Sequence, residues 1–134
     1  MDQYPIINRT KTATRYTGNN NMKYDRSPCP LACALDILGD KWTLLVIRDL
    51  LAGKTHFKEF MASPETISSS ILTVRLKRLL NEGMIEQEPS TQVAGKMAYR
   101  LTQKGRSLYP VLKAVRQWGL THIAGTKALI TVDP

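Results

Sequence analysis

Hydroxyl and cationic side chains are spaced at helical intervals along residues 67–83. On a wheel of about 100° per residue, one side of this segment carries Ser70, Thr73, Val74, Lys77 and Arg78. A helix that enters the DNA major groove by its amino-terminal end needs this order, because short polar groups reach base edges and the cations behind them lie near phosphates. An ordinary amphipathic helix with a solvated polar face shows the same pattern, and the helix by itself favours that alternative.

The other side of this segment is apolar and has clear ends. Leucines recur there in the three- and four-residue steps of one helical face: Leu72, Leu76, Leu79 and Leu80. Ser68 or Ser69 can cap the first turn, because a serine oxygen accepts an otherwise unpaired backbone N–H. Gly83 can close the last turn in the left-handed conformation. We therefore expect one helix whose leucine ridge is buried.

The neighbouring segments predict how this helix is held. A short helix over Phe57–Met61 and a turn over 63–66 precede it, which gives a helix-turn-helix. Two candidate strands, 84–89 and 97–102, follow it and are separated by an exposed loop that contains Gly95. A helix-turn-helix followed directly by a hairpin is a winged helix. The predicted fold class is therefore mainly α with a small β-hairpin (α+β).

Two further helices are predicted before the helix-turn-helix. The first runs over 30–38 and begins after the cap residue Cys29, with a proline at its first position. The second runs over 41–51, with Asp40 expected as its cap. It is apolar around most of its circumference, so we expect it to be the central buried helix.

Residues 102–105 lead into a long final helix that is predicted to run to about Ile123, with Pro110 inside it and a kink at that point. Its apolar stripe is broad: Leu108, Val111, Leu112, Val115, Trp118, Gly119 and Ile123. One small domain cannot easily cover so long a stripe, so we expect a partner surface for a second copy of the chain. A helix that folds back on its own domain is the alternative.

Composition and charge favour one domain with an anionic partner. The chain has 134 residues, 43% hydrophobic content and a formal net charge of +8. This charge favours nucleic acid or an acidic membrane surface as a partner. No apolar run is long enough to span a bilayer, no secretory signal is evident, and two cysteines four residues apart do not form an extracellular disulfide framework. A reducing cytoplasm is the expected setting.

The two ends of the chain lack a core pattern. Residues 1–27 carry five cations against two carboxylates and are expected to be a basic, flexible extension. The alternative is a basic arm that lies along a phosphate backbone or wraps the partner subunit. Residues 28–124 are the expected folded domain, and 125–134 form a C-terminal tail.

No residue pattern indicates catalysis, a cofactor or a metal. The chain has no phosphate loop, no paired carboxylates on a shared face and no nucleophile with a base at suitable spacing. The candidate metal ligands Cys29, Cys33, His56 and His122 include no Cys-x-x-Cys or His-x-x-x-His pair. His56 is better interpreted as a polar residue at a turn.

Several short segments from Cys29-Pro30 onward together carry a resemblance to a known protein family. They are Leu38-Gly39-Asp40-Lys41-Trp42, Leu45, Arg48-Asp49-Leu50, Phe57-Lys58-Glu59-Phe60, Ile67-Ser68, Leu72-Thr73, Arg75-Leu76, Gly83-Met84-Ile85, Tyr99-Arg100-Leu101-Thr102, Gly105 and Trp118-Gly119. With these segments, residues 28–123 closely resemble the HxlR family of bacterial transcription regulators, which are relatives of the MarR type. Three departures are Thr66, where many members carry glycine, Val93-Ala94-Gly95-Lys96 in place of a proline-containing wing, and Ala98 in place of glutamate.

The resemblance implies a homodimeric winged-helix protein that binds double-stranded DNA at a pseudo-palindromic operator, commonly as a repressor. The family's groove-reading positions fall on Ser68, Ser69, Ser70, Thr73 and Val74. Arg75, Lys77 and Arg78 would be phosphate-contacting or helix-anchoring residues, and Gln92 and Lys96 would be wing contacts. The first and last helices would join the subunits, with Leu31, Leu35, Leu108, Leu112, Val115 and Trp118 as interface residues.

Some members of this family sense electrophiles or oxidants through a cysteine at the position of Cys29. Unpaired N–H groups and the helix dipole favour the thiolate at a helix N-terminus, which raises its reactivity. The alternative is a small apolar residue without a sensing role. A bridge between Cys29 and Cys33 would strain the disulfide within one helical turn, so a disulfide between subunits is the expected form.

A protein-interaction module with a solvated basic face is the main alternative to a DNA-binding regulator. Salt dependence separates the two, because each neutralised phosphate contributes a slope of about 0.9 on a log–log plot of affinity against salt. An interaction module would bind random duplex weakly and show no preferred site.

Overall fold

In a computed structural model of the protein, the structure describes residues 10–11, 16–17 and 23–132. The chain divides into two compact units, Met1–Lys41 and Trp42–Pro134. The extension predicted over 1–27 lies largely outside the described residues, and the predicted domain limits stay predictions.

The first unit contains a small sheet and one helix. Three two-residue strands, β1 (Thr10–Lys11), β2 (Tyr16–Thr17) and β3 (Lys23–Tyr24), pair antiparallel in the order β1-β2-β3. The helix α1 spans Pro30–Leu38, as predicted. Cys29 is its N-cap residue and Pro30 opens the first turn, where the missing proline N–H would have no helical partner anyway.

The second unit carries the remaining elements, in the order predicted for a winged helix. The helices are α2 (Thr43–Leu51), α3 (Phe57–Met61), α4 (Ser69–Asn81), α5 (Gln103–Arg106) and α6 (Tyr109–His122). The strands β4 (Ile85–Pro89) and β5 (Met97–Leu101) lie between α4 and α5. They pair antiparallel, with Ile85 opposite Leu101 and Pro89 opposite Met97. This confirms the predicted fold class.

The core of the second unit forms where α2, α3 and α4 meet the base of the hairpin. The least exposed large side chains are Phe60, Ile47, Leu72, Leu79 and Thr43. Six of the nine residues of α2 are buried, which confirms its central place. In α4 the buried residues are Leu72, Leu76 and Leu79, so the leucine ridge faces inward.

The ends of α4 follow the residues that predicted them. Ser68 is the N-cap, and its Oγ accepts a hydrogen bond from the backbone N–H of Ile71 at 3.3 Å. At the other end, Gly83 has φ +71°, and the N–H of Met84 donates to the carbonyl of Leu79. This left-handed residue turns the chain directly into β4.

Two predicted details are wrong. Asp40 does not cap α2: the residue before this helix is Trp42, and no side-chain cap hydrogen bond is formed there. The chain instead enters α2 with Thr43 already buried in the core. The final helix is not one kinked rod, because α5 ends at Arg106 and α6 begins at Tyr109. Pro110 therefore lies in the first turn of α6, where proline is favoured, and does not bend a helix interior.

A close backbone approach joins α5 to the start of β4. The N–H of Gly105 donates to the Thr102 hydroxyl, and the Thr102 hydroxyl donates to the carbonyl of Gly83. A Cβ on Gly105 would lie 2.1 Å from the carbonyl oxygen of Met84 and 2.8 Å from a Leu101 methyl carbon. Only glycine fits here without a shift of the backbone.

We expect Gly105→Ala to lower the free energy of unfolding by about 1–3 kcal/mol, because an overpacked contact with backbone cannot relax by rotation of a side chain. Urea denaturation followed by circular dichroism measures this change. The matched control is Gly119→Ala in α6, where an added Cβ meets nothing within 4 Å. Alanine there should be neutral or stabilising by up to about 1 kcal/mol. Equal effects of the two substitutions would contradict the packing argument.

Candidate nucleic-acid interface

The outer face of α4 is open to solvent at the positions predicted to face DNA. Five residues on it are exposed: Ser69, Ser70, Thr73, Val74 and Lys77. The N-cap Ser68 is also exposed, but its Oγ already caps the helix and lies 3.3 Å from the Ser70 Oγ. The Thr73 hydroxyl donates to the Ser69 carbonyl at 2.8 Å. Toward a ligand, Thr73 therefore offers acceptor lone pairs and a methyl group.

The cations of α4 differ in their surroundings. Lys77 is exposed, whereas Arg75 and Arg78 are half-buried and each interacts within the chain. Of the predicted phosphate contacts on this helix, Lys77 has the most accessible charge. Arg75 and Arg78 fit the helix-anchoring role that the family resemblance offered as the alternative.

A polar network holds the turn in front of α4. The Arg48 guanidinium makes two hydrogen bonds to the Glu65 carboxylate, at 2.7 and 2.9 Å. Arg48 also donates to Asp49, and the buried Asp49 carboxylate accepts the hydroxyl proton of Ser63. The hydrogen bond from Arg48 holds the pKa of Glu65 below its usual value. The network ties α2 to the turn in front of α4.

Thr66 lies in this turn with φ +57°, the only positive φ of a non-glycine residue in the described chain. A β-branched residue in the left-handed region is strained, because its side chain crowds the backbone. The departure from glycine at this position therefore has a conformational cost. Ile67 is buried directly after it, so the turn is held in place despite the strain.

The wing is a hairpin whose loop is exposed and is tethered where it leaves β4. Gln92 and Lys96 are exposed in this loop, as predicted. At the start of the loop, the Ser90 Oγ accepts hydrogen bonds from the N–H groups of Gln92 and Val93, at 3.0 and 2.9 Å. Since this oxygen already accepts two hydrogen bonds, the Ser90 hydroxyl donates its proton to the His56 Nε2, 2.7 Å away. His56 precedes α3, so this contact links the wing to the helix-turn-helix.

Backbone pairing strengthens the same link. A single β-bridge pairs His56 with Ala98, and the Tyr99 N–H donates to the Thr55 carbonyl at 2.8 Å. Ala98, where family members commonly carry glutamate, thus pairs with His56. The sequence indicates a polar turn residue at His56, but the partner of its side chain, Ser90, is 34 positions away. No local signal in the sequence connects the two.

The solvent face of the hairpin is mixed in charge. Arg100 pairs with Glu86 at 2.8 Å and with Glu88 at 3.3 Å. These carboxylates raise the pKa of Arg100, with the hydrogen bond to Glu86 as the largest cause. The strands therefore present paired charges, and the Lys96 ammonium in the loop is the wing charge best placed for a phosphate.

The predicted interface residues divide into exposed and packed groups. Leu31 and Leu35 on α1 are 67% and 48% exposed, and Val115 and Trp118 on α6 are 56% and 61% exposed. Leu108 is half-buried, and Leu112 is only 6% exposed within its own chain. Four of the six thus leave apolar surface open.

Cys29 is exposed at the N-terminus of α1, and its backbone N–H donates to the Ser27 Oγ at 3.2 Å. Cys33 is half-buried, with its Sγ 3.2 Å from the Ser27 carbonyl oxygen.

Over the described ranges, no helix has the length and apolarity needed to cross a bilayer. Within the same ranges, no three His, Cys, Asp or Glu residues are grouped as a metal site.

A buried leucine ridge behind an exposed serine-threonine tip, followed by a tethered hairpin, defines a winged helix-turn-helix transcription regulator. Residues 37–127 match the family model described as HxlR-like helix-turn-helix, and the chain belongs to this family. The HTH-type transcriptional regulator YdeP of Bacillus subtilis is 38% identical over 95 residues, covering 71% of this chain and 74% of YdeP.

Solved structures agree with this assignment. The crystal structure of PA1607 has a TM-score of 0.68 and 37% identity, and the match covers 79% of this chain and 74% of PA1607. The redox regulator HypR in its oxidised form has a TM-score of 0.64 and 33% identity, and the match covers 70% of this chain and 97% of HypR.

We expect Thr66→Gly to raise the free energy of unfolding by up to about 1 kcal/mol, because it removes left-handed strain of roughly 1–2 kcal/mol and adds only chain entropy to the unfolded state. The matched control is Thr66→Ala, which deletes the hydroxyl but keeps the Cβ. Urea denaturation of both variants measures the difference. An alanine variant that is more stable than the glycine variant would contradict the strain, because the unfolded-state entropy of glycine would then be the larger effect.

Proposed function

We propose that the chain is a homodimeric, site-specific DNA-binding regulator, with α4 in the major groove and the wing tip near the flanking minor groove. The observation that carries this proposal is the one-sided burial of α4. Its leucines are packed inside, and Ser69, Ser70 and Thr73 are exposed to solvent at its amino-terminal end. A helix docked by this end brings its short polar groups to base edges.

The chemistry of each exposed side chain suggests its role at DNA. Thr73 has acceptor capacity and a methyl group, which suit an adenine or cytosine amino group and a thymine methyl. Val74 can add an apolar contact with a thymine methyl. Lys77 lies one turn behind Thr73, where a phosphate would run. Lys96 would contact the backbone from the wing.

The exposed apolar side chains of α1 and α6 support a homodimer. Leu31, Leu35, Val115 and Trp118 are each about half exposed or more, which is costly for a monomer in water. An interface between two identical copies is two-fold symmetric, so the operator should be pseudo-palindromic. Half-sites should lie about one helical turn, roughly 34–36 Å, or a multiple of it apart. We propose repression as the mode of action.

Replacement of Thr73 and of Lys77 tests the groove assignment. Operator sites are first selected from a random duplex pool, and affinities are then measured on selected and scrambled duplexes at several salt concentrations. Lys77→Ala should weaken binding to all sequences alike and reduce the salt slope by about 1. Thr73→Ala should reduce discrimination at one base pair by about 1–3 kcal/mol and leave the salt slope unchanged.

The matched control is Lys113→Ala, an exposed lysine on α6 that removes the same charge away from α4. It should not change affinity for any duplex. Identical effects of Thr73→Ala and Lys77→Ala on every sequence would contradict the groove assignment. If no duplex is enriched and binding is weak at low salt, the chain is instead a protein-interaction module.

We also propose that Cys29 makes DNA binding sensitive to oxidants or electrophiles. Its thiol is exposed at the N-terminus of α1, where a dissolved oxidant or electrophile can reach it. The relative HypR is a redox regulator by name. An exposed thiol can form a disulfide with a second subunit, whereas the half-buried Cys33 is less accessible.

Oxidation with diamide tests this part of the proposal. The wild-type protein should lose at least about tenfold in operator affinity and regain it with dithiothreitol. Cys29→Ser should keep its affinity under the same treatment, and Cys33→Ser serves as the matched control that still responds. Mass spectrometry reports the extent of modification. Unchanged operator binding by fully modified wild-type protein would exclude a sensing role for Cys29.

A further inference from the structure

A groove of about 250 Å³ opens between α2, α6 and the C-terminal segment 127–130. Its apolar lining is entirely aliphatic: Leu44, Leu45, Leu112, Val115, Leu129 and Ile130. Small-molecule sites in proteins commonly have volumes of roughly 300–1,000 Å³. The groove is close to the lower end of this range, so it suits a slim ligand better than a large one.

The charged residues of the groove are predominantly basic. Arg48, Arg116 and Lys127 face a single carboxylate, that of Glu65. Arg48 and Glu65 are paired with each other at 2.7 Å. Within the described part of the chain, Arg116 and Lys127 have no such carboxylate partner. The groove thus combines an apolar floor with unbalanced positive charge.

We propose that this groove binds a medium-chain alkyl carboxylate, with its chain against the leucines and its head group among the three cations of the lining, Arg48, Arg116 and Lys127. The aliphatic lining favours an alkyl chain, because no aromatic side chain is present to stack on a ring. The excess of cations favours an anionic head group over a neutral or cationic one. A chain of about eight carbons matches the modest volume.

The position of the groove links this site to DNA binding, in a step that rests on the proposed function. The Arg48–Glu65 pair forms part of the groove wall. Glu65 directly precedes the strained Thr66, and Ser68 then caps α4. A ligand carboxylate that competes for Arg48 would release Glu65 and loosen the turn that sets α4. Ligand binding should therefore lower operator affinity.

Calorimetry without DNA tests the site itself, with octanoate as the probe. Octanoate should bind, and hexanoate should bind more weakly, by about fourfold for each methylene that it lacks. Octyltrimethylammonium should not bind, and octanol should bind at least tenfold more weakly than octanoate. Equal binding of the anion, alcohol and cation would show unspecific partition into an apolar surface and would overturn the proposal.

Charge variants locate the head group. Arg116→Ala and Lys127→Ala should each weaken octanoate at least about fivefold, and Lys113→Ala on the same helix as Arg116 should not. Glu65→Gln should bind octanoate more tightly, because it frees Arg48. Circular dichroism checks that each variant is folded. Affinities that are the same in all four variants would place the ligand elsewhere and contradict the proposal.

Further outcomes distinguish octanoate from a second copy of the chain as the occupant of the groove. They also test the ligand site independently of DNA binding. If octanoate binds only on dilution to monomer, a second copy fills the groove and the proposal is wrong. If octanoate binds as expected but leaves the operator affinity of the wild type unchanged, the coupling through Glu65 is wrong and the site stands. A protein that binds no duplex even without octanoate refutes the proposed function alone, since calorimetry tests the site independently.

Discussion

Leu72, Leu76 and Leu79 are each at most 3% exposed, and their packing against the core determines which side of α4 faces solvent. Burial of a leucine contributes about 1.5–3 kcal/mol, so the three together exceed the strain of roughly 1–2 kcal/mol at one left-handed residue. The core can therefore hold α4 in place and tolerate Thr66 in front of it. Rotation of α4 about its axis would expose leucines and bury hydroxyls, which is doubly unfavourable. The polar face is thus fixed outward by the apolar one.

Polar contacts set the finer position of the two exposed elements. In the turn before α4, the two hydrogen bonds between Arg48 and Glu65 are partly shielded from water, because the Arg48 side chain is only 14% exposed. At the wing, the hydrogen bond between His56 and Ser90 joins the residue before α3 to the start of the wing loop. Without it, the position of the loop relative to α3 would be less restricted. Apolar packing is nondirectional, whereas hydrogen bonds of this kind select one geometry. The residues that would touch DNA are therefore positioned by residues that would not.

Local patterns in the sequence were sufficient for most of the fold. The ends of α4 were predicted within a residue or two, because a capping serine, a leucine period and a glycine with positive φ all agree. The break before α6 was missed, since a proline in a helical pattern fits either an interior kink or a first turn. Asp40 has the residue type of a cap but stands too far ahead of α2. When a residue type is compatible with two positions in a helix, the spacing of apolar residues does not distinguish between them.

The candidate site was predictable only in its exposed part. Ser70, Thr73 and Lys77 could be placed outward from a helical wheel, because their neighbours on α4 are local in sequence. The Arg48–Glu65 pair joins residues 17 positions apart, and no periodicity predicts such a contact. The same pair is shared by the turn before α4 and by the wall of the aliphatic groove. Because Glu65 belongs both to the groove wall and to the turn before α4, a ligand that disturbed this pair would act on that turn directly.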